Sequence, residues 1–200
     1  MIIGLTGGIA SGKSAVAAMF EKRGAHVINF DVLARVVVEP DMPAWKDIVA
    51  HFGTDILNED RTLNRAKLGD IVFSDVQQRK ALESFIYPQL FVEYNRRIEE
   101  IRSKDPNAIV FADVPLLFEI RLQSMFDKIV VVYATSEQQM KRLIERDGLD
   151  HESALKRLNA QMPLEQKMQQ ADYVIHNTGS LQETEADVNE TWNTLSRLKQ

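Results

Sequence analysis

Residues 7–14 read Gly7-Gly8-Ile9-Ala10-Ser11-Gly12-Lys13-Ser14, the spacing G-x-x-x-x-G-K-[ST] of a phosphate-binding loop. The pattern carries weight only between a strand and a helix, and both are expected here. Ile2 to Leu5 is a short apolar run, while Val16, Met19, Phe20 and Arg23 recur at helical spacing and Gly24 stands where a helix ends. In such a loop successive backbone N–H groups turn inward and the helix dipole adds positive potential. Gly8, Ala10, Ser11, Gly12, Lys13, Ser14 and Ala15 are therefore the expected nucleotide contacts. Within them the Lys13 ammonium reaches the β and γ phosphates and the Ser14 hydroxyl ligates Mg²⁺.

Outward from the loop, further β-branched runs read as buried strands: His26 to Asp31, Ala108 to Val114, Lys128 to Tyr133 and Tyr173 to His176. Strands alternating with helical stretches predict an α/β, three-layer P-loop NTPase fold with about five parallel strands. Residues 1–39, 107–134 and 171–200 form the expected nucleotide-binding core. The interval 40–106 is too long for one crossover helix. It carries two apolar stripes, one from Trp45, Ile48, Val49 and Phe52, the other from Leu82 through Tyr94 with Pro88 as a kink or break, and is read as a helical, acceptor-binding insertion. Residues 135–170 read as a helical lid, and 180–200 as a terminal helix.

The chain has 200 residues, no cysteine and a net charge of −5. Disulfides, a thiolate nucleophile and cysteine-bound metals are excluded, and a nonspecific nucleic-acid binder needs the opposite charge balance. The longest apolar run, Ile129 to Ala134, is far short of a membrane span, and Met1 to Ala10 lacks the basic start of a secretory signal. The expectation is a cytoplasmic protein with no nucleic-acid or membrane partner, its oligomeric state left open with a lean to monomer. The sequon Asn189-Glu190-Thr191 reads as a solvated helix face. The scattered histidines make no zinc site.

Ligands of a parallel sheet sit outside the carboxyl ends of its strands, which here carry Asp31, Asp113 and Asn177. A switch motif D-x-x-G and a guanine-reading N-K-x-D are absent from the sequence, which argues against a regulatory GTPase. Asp31, ending the second strand, suits a group that orients an alcohol and accepts its proton. Asp113 reads as an acid ordering the metal's water shell. Arg142 and Arg146, at i and i+4, share a helix face from which a closing lid would bring charge to the phosphates, and Arg157 and Gln161 repeat the spacing on a helix that Asp150 caps.

Taken in order, these segments resemble the dephospho-CoA kinase family. The resemblance rests on Gly4 to Ser14, Asp31-Val32-Leu33-Ala34-Arg35 with Glu39-Pro40, His51-Phe52-Gly53, Leu68-Gly69 with Val72-Phe73, Pro115-Leu116-Leu117-Phe118-Glu119, Arg142 with Arg146-Asp147, Gln161-Met162-Pro163-Leu164, and Ala171-Asp172 with Ile175 and Asn177. It implies a nucleoside-monophosphate-kinase-like fold and transfer of the γ-phosphate of ATP to the ribose 3′-hydroxyl of dephospho-CoA. It further implies Asp31 as catalytic acid/base, Lys13 and Arg142 as catalytic cations, Arg142 and Arg146 as lid arginines, Asn177 near the adenine, and Arg35 and Arg65, with Asp31, as acceptor contacts. Asn29-Phe30-Asp31 stands where the family usually has Asp-x-Asp, Tyr87-Pro88 where His-Pro is common, and Asp41 and Arg61 replace usual turn glycines. The residues alone leave open a kinase for another small alcohol or a nucleoside monophosphate, and a non-catalytic ATP-binding regulatory module.

Overall fold

The computed structural model describes residues 1–198. The last two residues of the expected core segment 171–200 lie outside the described residues. Five strands, β1 (Ile2–Gly7), β2 (His26–Asn29), β3 (Val110–Asp113), β4 (Lys128–Tyr133) and β5 (Tyr173–His176), form one sheet in the order β2-β3-β1-β4-β5. β1 pairs in parallel with β3 and β4, and β4 with β5. The runs without polar alternation become the central strands, because helices cover both faces of a parallel sheet. All four residues of β3 are buried.

The expected phosphate loop joins β1 to α1 (Lys13–Glu21). The chain divides into two compact units, residues 1–28 with those from 101 onward, and Asn29–Glu100. In the first, Ile3, Leu5, Phe111, Val130 and Val132 of the sheet pack with Val16 and Phe20 of α1 and with Val188 and Leu195 of α9 (Leu181–Leu198). Phe20 stacks on Phe111 at 4.2 Å between centroids. Three further helices follow β4: α6 (Ser136–Asp147), closed by a capping box from Thr135 and Gln138, α7 (His151–Asn159) and α8 (Leu164–Met168). Asp150 caps α7 by accepting from Ser153 N–H at 2.7 Å, as its sequence position predicts.

The second unit contains α2 (Phe30–Val36), α3 (Pro43–Phe52), α4 (Arg65–Ser74) and most of α5 (Val76–Lys104). It begins before residue 40, where the sequence places the start of the insertion. Its interior includes Phe30, Leu33, Trp45, Ile48, Leu90 and Tyr94, with Phe30 against Tyr94 at 5.1 Å.

Two local readings need correction. β2 ends at Asn29 rather than Asp31, because the Asn29 side chain accepts from Val32 N–H at 3.0 Å and starts a helix there. Asp31 consequently sits in the first turn of α2. Pro88 does not break the second stripe: α5 runs through it as one helix of 29 residues. Pro88 is exposed, as is Ser84, whose carbonyl loses its helical partner, so the missing bond falls on an exposed stretch of the helix. Asp41 and Arg61 occupy their turns with left-handed φ of 71° and 68°. They salt-bridge to each other, and Arg61 lies 5.1 Å over the Trp45 ring. An ion pair and a cation–π contact thus offset backbone strain that glycine would avoid.

Among the described residues no helix is long and apolar enough to cross a membrane.

Candidate active site

The helix after the loop has no side-chain N-cap: Gly12 occupies that position at φ 91°. No side chain takes its first-turn N–H groups, of which Ala15 N–H turns back to the Gly12 carbonyl at 3.0 Å, and the dipole favours an anion there. Gly12 is required on two counts. Left-handed backbone disfavours a side chain, and a Cβ there would collide with the Asn177 amide. Gly12→Ala is expected to cost at least 1–2 kcal/mol, roughly, lowering Tm by about 2–8 °C. A thermal melt unchanged from wild type would contradict this geometry.

Lys13 Nζ is paired with the carboxylate of Asp113 at the end of β3, whose side chain is only 2% exposed. The loop lysine and the aspartate ending the third strand are therefore in contact. Ser14 is exposed at the start of α1, whereas the Ser11 hydroxyl is buried and without a hydrogen-bond partner.

The other side of the loop is held from α6 and from the segment after β5. Arg142 Nη2 donates to the Asn177 carbonyl at 3.0 Å, with Nη1 3.5 Å from the Ser11 carbonyl. Asn177 Nδ2 donates to the same Ser11 carbonyl at 2.8 Å, and its Oδ1 accepts from Thr184 Oγ1 at 3.2 Å. Arg142 and Asn177 are thus brought to the loop. Arg146 is not: it is exposed and bonds Asp147, which also takes Arg157. The hydrogen bond from Arg146 holds the Asp147 carboxyl below the usual range, with Arg157 adding to it.

Two glutamines grip the peptide groups of Ile9. Its N–H donates to Gln161 Oε1 and its carbonyl accepts from Gln139 Nε2, each at 2.7 Å. In the sequence Gln161 is marked only by its spacing from Arg157 and its place in the Gln161-Met162-Pro163-Leu164 segment, and Gln139 is not marked at all. The available signal was Gln139 four residues before Leu143, a polar side chain within the buried stripe of α6.

In the second unit, Arg35 and Arg65 are exposed and line one cavity of about 510 Å³ with Glu39, Asn58, Thr62 and Asn64. Asp31 is exposed one turn before Arg35 on α2.

The Dephospho-CoA kinase family profile matches residues 1–183. A dephospho-CoA kinase of Syntrophus aciditrophicus is 45% identical over 96% of this chain and 82% of its own. Among solved structures, a Thermus thermophilus protein has a TM-score of 0.81 at 35% identity, covering 98% of this chain and 97% of its own. The dephospho-CoA kinase of Campylobacter jejuni has a TM-score of 0.74 at 26% identity over 100% and 98% of the two chains. With a phosphate loop whose lysine meets a strand-end aspartate, and a match running through nearly the whole chain, the protein belongs to the dephospho-CoA kinase family.

Proposed function

We propose that the chain transfers the γ-phosphoryl group of ATP to the ribose 3′-hydroxyl of dephospho-CoA, giving coenzyme A and ADP in the last step of coenzyme A biosynthesis. The observation that carries this reading is the family match across residues 1–183. In it, the backbone amides of residues 12–15 bind the β and γ phosphates and Lys13 leaves Asp113 to reach them. The Asp31 carboxylate takes the proton from the 3′-hydroxyl as the ribose oxygen bonds to Pγ. The Pβ–O–Pγ bond breaks and ADP leaves with its electron pair. Arg35 and Arg65 hold anionic groups of the acceptor, whose pyrophosphate suits two guanidinium forks lining one cavity.

ATP enters with Mg²⁺ in this reading. The donors present are hard oxygens, the Ser14 hydroxyl and the Asp113 carboxylate. No group of three or more His, Cys, Asp or Glu able to hold a metal occurs among the described residues. That set fits Mg²⁺, which takes one or two protein ligands beside substrate phosphates and keeps its waters. Bound there, the ion neutralises charge on the β and γ phosphates.

Arg142, already against the loop, and Arg146, turned toward Asp147, are expected to differ. Arg142→Ala lowers kcat/KM for ATP by about 10²-fold, and Arg146→Ala by much less. Equal losses in steady-state kinetics would show that both arginines reach the phosphates. The acceptor position is tested with dephospho-CoA lacking the ribose 3′-hydroxyl. This analogue is expected to inhibit competitively against dephospho-CoA and to yield no phosphorylated product. Phosphorylation of it would overturn the 3′ assignment.

A further inference from the structure

Among the described residues, the machinery above leaves one fully buried charge unused. Lys167 on α8 has a side chain 0% exposed. An ammonium has three N–H donors, and three acceptors converge on this one: Glu119 Oε1 at 2.8 Å, the Pro115 carbonyl at 3.3 Å and the Gly7 carbonyl at 3.4 Å. Gly7 closes β1 and opens the phosphate loop. Pro115 lies two residues beyond Asp113, the partner of Lys13. One side chain thus ties together the two strand ends that carry the Lys13–Asp113 pair, and Thr6 Oγ1 donates to the same Pro115 carbonyl at 3.2 Å. Glu119 Oε1 also accepts from Met162 N–H at 3.0 Å, while Oε2 is buried with no hydrogen-bond partner. The carboxylate therefore depends on Lys167 for its neutralisation.

Stability alone gives little reason for this arrangement, since a buried ion pair is often replaceable by uncharged residues of similar volume without loss. Its acceptors suggest another reason. We propose that Lys167 is a positioning residue for phosphoryl transfer, fixing the loop entrance at Gly7 against the β3 end so that Lys13 and the loop amides meet the γ-phosphate in reactive register. This rests on residues 7–14 binding the phosphates of ATP.

Two variants separate positioning from simple neutralisation, each assayed at a temperature below its own unfolding transition. Glu119→Gln keeps an acceptor for Met162 N–H and leaves Lys167 bonded to Gly7 and Pro115, at the expense of an unpaired buried ammonium. It is expected to lower Tm while kcat stays within a few-fold of wild type. Lys167→Met with Glu119→Gln removes both charges at similar volume. It is expected to melt within about 3 °C of wild type yet to lose about ten- to a hundred-fold in kcat, with KM for dephospho-CoA unchanged. Should the double variant regain wild-type kcat, or should Glu119→Gln lose as much kcat as the double variant, Lys167 serves only to neutralise Glu119 and the proposal fails. A wild-type enzyme inactive on dephospho-CoA would refute the functional reading instead. The positioning claim would then stand or fall on calorimetric ATP affinity, expected to drop in the double variant alone.

Discussion

Lys13→Ala is expected to lower kcat/KM for ATP by about 10²–10³-fold, the usual consequence of removing one preorganised cation or donor from a developing oxyanion. It is also expected to destabilise the protein, for a reason independent of catalysis. The Asp113 side chain is 2% exposed and pairs with Lys13 at the end of β3. Removing the ammonium takes the positive charge away from a largely buried carboxylate, a change that costs about 3 kcal/mol, or roughly 6–12 °C in Tm. The two effects separate in the variant Lys13→Ala with Asp113→Asn, which recovers melting temperature but not turnover. In the proposed function, the Lys13–Asp113 pair holds the ammonium beside the loop until the phosphates of ATP draw it away. Unchanged kcat/KM in Lys13→Ala would remove the phosphate-loop role.

Asp31→Asn is expected to lower kcat by about 10²–10⁴-fold, the range spanned by a positioned general base, with calorimetric ATP affinity retained. The substitution keeps shape and hydrogen-bonding capacity but not basicity. Asp31 is exposed in the first turn of α2, whose cap is supplied by Asn29, so the fold tolerates the change and Tm moves by less than about 1 kcal/mol allows. A loss confined to kcat is therefore chemical. Near-normal turnover would remove Asp31 as base and leave positioning and phosphate electrostatics to carry the transfer.

Much of this molecule can be read from its chain, and the exceptions have physical causes. Continuous apolar runs such as Ile129 to Tyr133 announce strands buried on both faces, and the glycine spacing announces the loop, because both signals are local. The end of β2 was misread for an equally local reason: Asn29 is compatible with a strand until its side chain captures Val32 N–H and turns Phe30 and Asp31 into helix. Pro88 suggests a kink or break, yet it sits on an exposed stretch of α5 and the helix continues through it. Arg142 and Arg146 share a face by periodicity, but the neighbouring Asp147 claims one of them. The grip of Gln139 and Gln161 on Ile9, and of Lys167 on Gly7, joins residues more than a hundred positions apart. Nothing in the local pattern around Lys167 distinguishes a buried ammonium from a solvated lysine.

The acceptor is identified most directly by one measurement: ADP formed from ATP and Mg²⁺ with dephospho-CoA, with a nucleoside monophosphate or a small sugar alcohol in its place, and with no acceptor. The prediction is rapid ADP release with dephospho-CoA alone, matched mole for mole by coenzyme A. ADP release independent of dephospho-CoA, or faster with another acceptor, would contradict it, and binding of ATP with no release under any condition would point to a regulatory module.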